Sequence, residues 1–73
     1  MQMVKYTIII EKAEGNYSAY CPDLPGCIAT GSTVEETVKR MKDAMKLHID
    51  GLKQEKIDIP KPFTNAISID VAV

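Results

Sequence analysis

The chain has 73 residues, of which 45% are apolar, and its formal net charge at pH 7 is -1. A domain of this size removes only about 60% of its unfolded surface from water. We therefore predict one domain, residues 1–73, with a thin core that self-association as a homodimer or higher homo-oligomer would enlarge. The charge shows no basic excess for nucleic acid or anionic lipid. Residues 1–5 lack signal-peptide features and no apolar run is long enough to span a membrane, so we expect a cytoplasmic protein.

The first half of the chain carries the two-residue period of β-strands. Residues 4–11 alternate between an apolar face and a mixed face, which predicts a first strand. Gly15 tolerates a positive φ and suits a hairpin turn. Residues 17–21 then form the predicted second strand, and residues 27–30 form the third.

Between the second and third strands lies the sequence Pro22-Asp23-Leu24-Pro25-Gly26. Proline lacks the amide donor that a sheet interior needs, so this stretch is a loop. Two prolines also make the loop rigid, which lowers the entropy lost when a partner docks. We predict Asp23, Leu24, Pro25 and Gly26 as a partner-binding site; the alternative is a purely structural turn.

A helix is predicted to begin after Thr33. Thr33 and Glu36 fit a capping box, in which the hydroxyl and the carboxylate each accept a free amide at the helix start. The helix covers one face of the sheet, and the uncovered face carries Ile9 as a second candidate contact surface. Apolar or partly apolar residues at spacings of three and four form the stripe that packs on the sheet: Val34, Val38, Met41, Met45, His48 and Leu52.

After the helix, two prolines predict an extended connection over residues 56–65. Residues 67–73 then alternate again and predict a fourth strand, which the right-handed connection rule places parallel to the first. The expected fold is α+β, a βββαβ arrangement with sheet order 3-2-1-4 and one helix on one face. Ile67, Ile69 and Val71 form the predicted oligomer or partner edge, through backbone pairing with another strand.

From the types and positions of its side chains, we predict that the protein is not an enzyme and has neither a metal site nor a cofactor. His48 is the only histidine, and its place in the apolar stripe favours a half-buried imidazole over a general base. Glu11 is the only acid on the first strand, where a metal-dependent nuclease would need several acids together. Cys21 and Cys27 are expected to be reduced apolar fillers; a disulfide across the loop is the alternative.

Four short stretches together form a specific pattern: Asp23-Leu24-Pro25-Gly26-Cys27, Thr30-Gly31-Ser32-Thr33, Glu35-Glu36 with Ala44, and Ile59-Pro60-Lys61-Pro62. This pattern resembles that of the HicB antitoxin family over nearly the whole chain. The resemblance implies a partial RNase H-like fold of strand-strand-strand-helix-strand. It also implies a non-enzymatic antitoxin that binds and masks a HicA-like toxin, a small mRNA-cleaving ribonuclease.

Many members of this family carry a C-terminal DNA-binding domain. This chain ends at Val73, where such a domain would begin, so we expect neither that domain nor direct DNA binding. A second hypothesis is an orphan HicB-like domain that binds another protein or a small ligand for regulation. A third is residual metal-dependent nuclease activity that would depend on Glu11.

Overall fold

A computed structural model describes residues 3–73, and these residues form an antiparallel sheet backed by one helix. The helix packs on one side of the sheet, mainly against its second and third strands. The predicted α+β class is confirmed. The elements in chain order are strand β1 (Ile9–Ala13), strand β2 (Asn16–Tyr20), strand β3 (Ile28–Gly31) and helix α1 (Val34–Gln54).

The predicted hairpin joins β1 and β2. Ala13 pairs with Asn16 across the turn, and Gly15 has a φ of 84°, a value that suits a residue without a Cβ atom. β1 begins at Ile9, opposite Tyr20, and not at residue 4 as predicted. Its partner β2 ends at Tyr20 and Pro22 follows two residues later, so β1 has no partner strand beyond this point.

The helix ends are defined by hydrogen bonds within a few residues. The Glu36 amide donates to Thr33 Oγ1 at 3.1 Å, and the Ser32 amide donates to Glu36 Oε1 at 2.8 Å. Thr33 is therefore the N-cap, and the reciprocal cap predicted for Thr33 and Glu36 is confirmed. At the other end, Lys56 has a φ of 56° and the Ile57 amide donates to the Leu52 carbonyl at 2.9 Å, a Schellman arrangement.

The core lies between the helix and the β2 and β3 half of the sheet. Its buried apolar residues are Ala19, Cys21, Leu24, Cys27 and Met41. Thr37 is also fully buried, and its hydroxyl donates to the Thr33 carbonyl at 2.7 Å.

The predicted stripe is thus only partly correct: Met41 is buried, but Val34 is 42% exposed and Thr37 takes the position nearest the sheet. Gly31 allows this approach, because a Cβ atom there would lie 2.6 Å from Thr37 Oγ1.

The predicted fourth strand is not formed in the described chain. In the described residues, the sheet consists of β1, β2 and β3 side by side in that order. This agrees with the predicted order 3-2-1 of the first three strands, but no fourth strand lies beside β1. Residues 57–73 have no regular secondary structure. The reason is where the chain is tied: the Thr64 carbonyl accepts from Thr7 Oγ1 at 3.0 Å, and the residues after it are exposed.

Candidate protein-interaction surface

Asp23 joins the loop between β2 and β3 to the C-terminal segment. Its Oδ2 accepts the amides of Phe63 and Thr64, both at 3.0 Å, and its Oδ1 accepts the Thr64 hydroxyl at 2.8 Å. These hydrogen bonds favour the ionised carboxylate, and they hold the pKa of Asp23 below its usual value, with the Thr64 amide as the largest cause. Asp23 is therefore an anchor between two distant parts of the chain.

The rest of the loop is held by its own backbone and by the core. The Leu24 amide donates to the Cys21 carbonyl and the Cys27 amide to the Leu24 carbonyl, both at 3.1 Å. Leu24 has no exposed surface, so its side chain supports the loop from beneath. Pro25 and Gly26 are exposed at the tip, where Gly26 has a φ of 83°. A partner that docks on this loop would meet these two residues first.

An apolar row crosses the face of the sheet that the helix leaves uncovered. Ile9 pairs with Tyr20, and Tyr20 pairs with Ile28, so the three residues are neighbours across the three strands. Tyr20 is 42% exposed and Ile28 is 68% exposed. The Tyr20 and Ile28 pair is also the last strand pair before the loop that carries the exposed Pro25 and Gly26.

The sequence analysis named Ile9 on this face but not its two neighbours. The period of two contains the signal, because Tyr20 stands between Ala19 and Cys21, and both of those point into the core. The strand register, which brings Ile28 beside Tyr20, depends on the length of the intervening loop. Sequence alternation alone therefore could not assemble the row.

The predicted edge residues Ile67, Ile69 and Val71 are 81%, 74% and 74% exposed. They lie in the extended segment 65–73, of which every residue is exposed. Within residues 3–73, neither a strand nor the helix covers them. The prediction that they contact another molecule remains a prediction.

A groove of about 480 Å³ lies between the helix and the residues before β1. Its apolar wall includes Tyr6, Met45 and Ile49, which also pack against the core, and Val4 and Ile59 lie at its sides. The Tyr6 hydroxyl donates to the Pro60 carbonyl.

The residues considered above for catalysis lie on different elements of the described chain. His48 is half-buried on the helix and Glu11 is exposed on β1. Cys21 and Cys27 are free, buried thiols, and burial raises the pKa of Cys27, which disfavours a reactive thiolate. Within residues 3–73 no three or more histidine, cysteine, aspartate or glutamate side chains are grouped to hold a metal ion.

In the same described range, the helix is not apolar enough over a sufficient length to cross a membrane. All buried side-chain nitrogen and oxygen atoms of that range have a hydrogen-bond partner. The exposed groups that remain for function are therefore surfaces: the apolar row with the loop tip, the extended segment 65–73 and the groove.

Comparison with known proteins assigns the chain to a family. A family model described as "HicB_like antitoxin of bacterial toxin-antitoxin system" matches residues 6–71. A UPF0150 protein of Synechocystis is 39% identical over 61 residues, which are 82% of this chain and 77% of that protein. A UPF0150 protein of Thermoplasma acidophilum is 37% identical over 67 residues, which are 90% of this chain and 97% of that protein.

A relative from Haemophilus phage HP1, an uncharacterized 14.9 kDa protein of the rep-hol intergenic region, is 38% identical over 56 residues. The match covers 77% of this chain and 42% of the phage protein. The chain therefore spans less than half the length of that relative and most of the length of the two UPF0150 proteins.

Proposed function

Because the chain belongs to the HicB-like antitoxin family, we propose that it neutralises a HicA-like mRNA-cleaving toxin by binding it and covering its active surface. Family membership suggests a role in a toxin-antitoxin system, and the match over residues 6–71 is the observation that carries the proposal. Masking of this kind requires an exposed surface of fixed shape. The two exposed features that fit are the apolar row and the loop tip beside it.

The apolar row is the better anchor for such a contact. Tyr20 and Ile28 are held in register by the sheet, so little conformational freedom remains to be lost on binding. A few side chains near the centre of an interface, among which tyrosine is enriched, provide most of its binding energy. Pro25 and Gly26 extend the same surface with a rigid, backbone-rich tip, and we propose Asp23, Leu24, Pro25 and Gly26 together as its structural rim.

The test is co-expression with a small HicA-like toxin, if one is encoded next to the gene, followed by affinity purification of the pair. The wild-type chain should restore growth and copurify with the toxin. Ile28→Glu should weaken toxin binding by roughly tenfold or more, because it places a charge in the centre of the contact.

Leu47→Glu is the matched control. Leu47 is an equally large aliphatic residue that is 75% exposed on the helix, away from the row. It should leave binding unchanged. A wild-type chain that neither binds nor rescues would refute the antitoxin role and favour the orphan domain; equal effects of the two variants would refute the assigned surface.

We also propose that the chain functions as a single domain without catalysis or a cofactor, in the cytoplasm, and as a homo-oligomer. Support for non-catalytic action comes from the family and from the placement of His48 on the helix and Glu11 on β1. Purified protein incubated with RNA and magnesium should leave the RNA intact. Cleavage that disappears in Glu11→Gln would instead identify a nuclease.

A further inference from the structure

The segment 65–73 leaves an unusual amount of apolar surface in water for so small a chain. Ile67, Ile69, Val71 and Val73 are each at least 74% exposed, and they recur at every second position. The described chain has a radius of gyration of 14.0 Å and measures 48 Å along its longest axis, whereas a compact domain of this length has a radius of gyration near 11 Å, roughly. The exposed stripe has the pattern of a strand without its sheet.

The chain is directed away from its own sheet at Thr64. Asp23 accepts the amides of Phe63 and Thr64, and Thr7 donates to the Thr64 carbonyl. These contacts use the backbone groups of residues 63 and 64 just before the stripe begins. From residue 65 onwards every residue is exposed, so the segment is presented outwards from a fixed point.

The same chain also carries a place that lacks a strand. β1 pairs with β2 on one side only, and among residues 3–73 no strand pairs with its other side or with residues 3–8. The groove lies beside this free edge, with Tyr6, Met45 and Ile49 in its wall. An added strand at this edge would gain backbone partners and place its apolar face in the groove.

The charges of the two segments agree with this match. Asp70 is the only charged residue between 65 and 73, and Lys5 is the only one between 3 and 8. In an extended strand, Asp70 faces the side opposite Ile67 and Ile69, and Lys5 faces the side opposite Tyr6. In a strand pair that buries both apolar faces, the carboxylate and the ammonium group therefore lie on the same outer face.

We propose that two copies of this chain exchange residues 65–73. Each segment pairs with residues 3–8 and the outer edge of β1 in the other copy, and its apolar side chains fill the groove there. Because donor segment and acceptor edge occur in the same chain, a twofold pair satisfies both at once. The exchange explains self-association by a defined surface, and it leaves the apolar row free for a different partner.

The first experiment measures mass in solution for the full chain. Light scattering during gel filtration should give twice the 8.1 kDa of one chain, with dissociation on dilution. The double variant Ile67→Ser, Ile69→Ser should be a monomer that keeps the helical part of the circular dichroism spectrum and loses only the β signal of the exchanged strands, since both side chains are exposed in the single chain. Leu47→Ser, which removes an exposed leucine from the helix, should remain a dimer.

The second experiment distinguishes exchange between copies from docking within one copy. Lys5→Glu and Asp70→Lys should each weaken the dimer by roughly tenfold, because each places like charges together at two symmetric sites. Mixing these two variants should restore the dimer as a heterodimer, since each interface then pairs opposite charges. Docking within one chain would gain nothing from mixing.

A monomeric wild-type chain would overturn the proposal, as would a dimer that survives the double serine variant or fails to recover on mixing. Burial of the segment only on addition of the toxin would assign it to the toxin and also overturn the exchange. Toxin binding by the Ile28→Glu variant is measured separately, so failure of one proposal does not decide the other.

Discussion

The two halves of this molecule use similar apolar patterns with opposite results. In the packed half, formed by β2, β3, the loop between them and α1, residues such as Leu24 and Met41 have no exposed surface. In the open half, formed by residues 3–8 and 57–73, Ile67 and Ile69 are at least 74% exposed. The comparison teaches that an alternating pattern specifies a face to be buried without specifying what buries it.

The largest test of this comparison is to remove a side chain from the packed half. Leu24→Ala should lower the free energy of unfolding by about 2 to 5 kcal/mol, because it opens a cavity in a core of few residues. Urea unfolding followed by circular dichroism measures the change. Leu47→Ala, on the exposed side of the helix, should change stability by less than about 0.5 kcal/mol. Equal losses for the two variants would show that the loop is not part of the core.

Two glycines sharpen the same comparison at the contact between helix and sheet. A Cβ atom at Gly31 would lie 2.8 Å from the Thr37 amide nitrogen, whereas a Cβ atom at Gly51 would meet nothing within 4 Å. Gly31→Ala should therefore destabilise by about 1 to 3 kcal/mol, since backbone must move. Gly51→Ala should stabilise by about 0.5 to 1 kcal/mol, because alanine favours the helix. Thermal unfolding of both variants gives the signs, and a stable Gly31→Ala variant would contradict the close approach.

A smaller effect is expected at the start of the helix. Thr33→Ala removes the oxygen that accepts the Glu36 amide, and it should lower the free energy of unfolding by about 1 kcal/mol. Thr33→Ser keeps a hydroxyl and should recover most of the loss. The capping role is wrong if alanine and serine unfold at the same urea concentration.

The smallest effect is local and concerns the hydrogen bonds from Phe63 and Thr64 to Asp23, which link the two halves. The pKa of Asp23 is lower in the folded chain than its ordinary value of 3.8, so the link has full strength above that value. It weakens as the pH falls through the lower, folded pKa, because protonation removes the charge that accepts the Phe63 and Thr64 amides. Hydrogen exchange measured by NMR should then show that these two amides lose their protection at low pH.

Asp23→Asn is the matched variant for this titration. Its amide has a similar shape but does not ionise in this range, so the acid-dependent change at Phe63 and Thr64 should disappear. Persistence of the same pH profile in Asp23→Asn would assign the effect to another group.

The elements that the sequence predicts well are those defined by neighbours along the chain. Gly15 indicates the hairpin, and Thr33 with Glu36 indicates the helix start, since all their partners lie within four residues. The burial of Thr37 depends on Gly31 allowing the helix to approach, and helical periodicity alone favoured Val34. That pair could only be recognised from the packing.

The candidate site was predicted in part for the same reason. Pro25 and Gly26 lie at an exposed loop tip, as their residue types indicate. The tie from Asp23 to Thr64 spans 41 residues, and no local pattern reveals it. Ile67 and Ile69 are exposed in the single chain, so their alternating pattern alone could not show which surface they contact.

The unpaired segment 65–73 and the free side of β1 together affect how many copies an assembly could contain. If each segment were donated to a new neighbour in one direction, the contacts would propagate into a filament, because every added copy would present another unused edge. Reciprocal donation ends the series at two, since both complementary parts are then consumed. In the proposed pair, the geometry that joins the two copies would thus also keep the protein from polymerising.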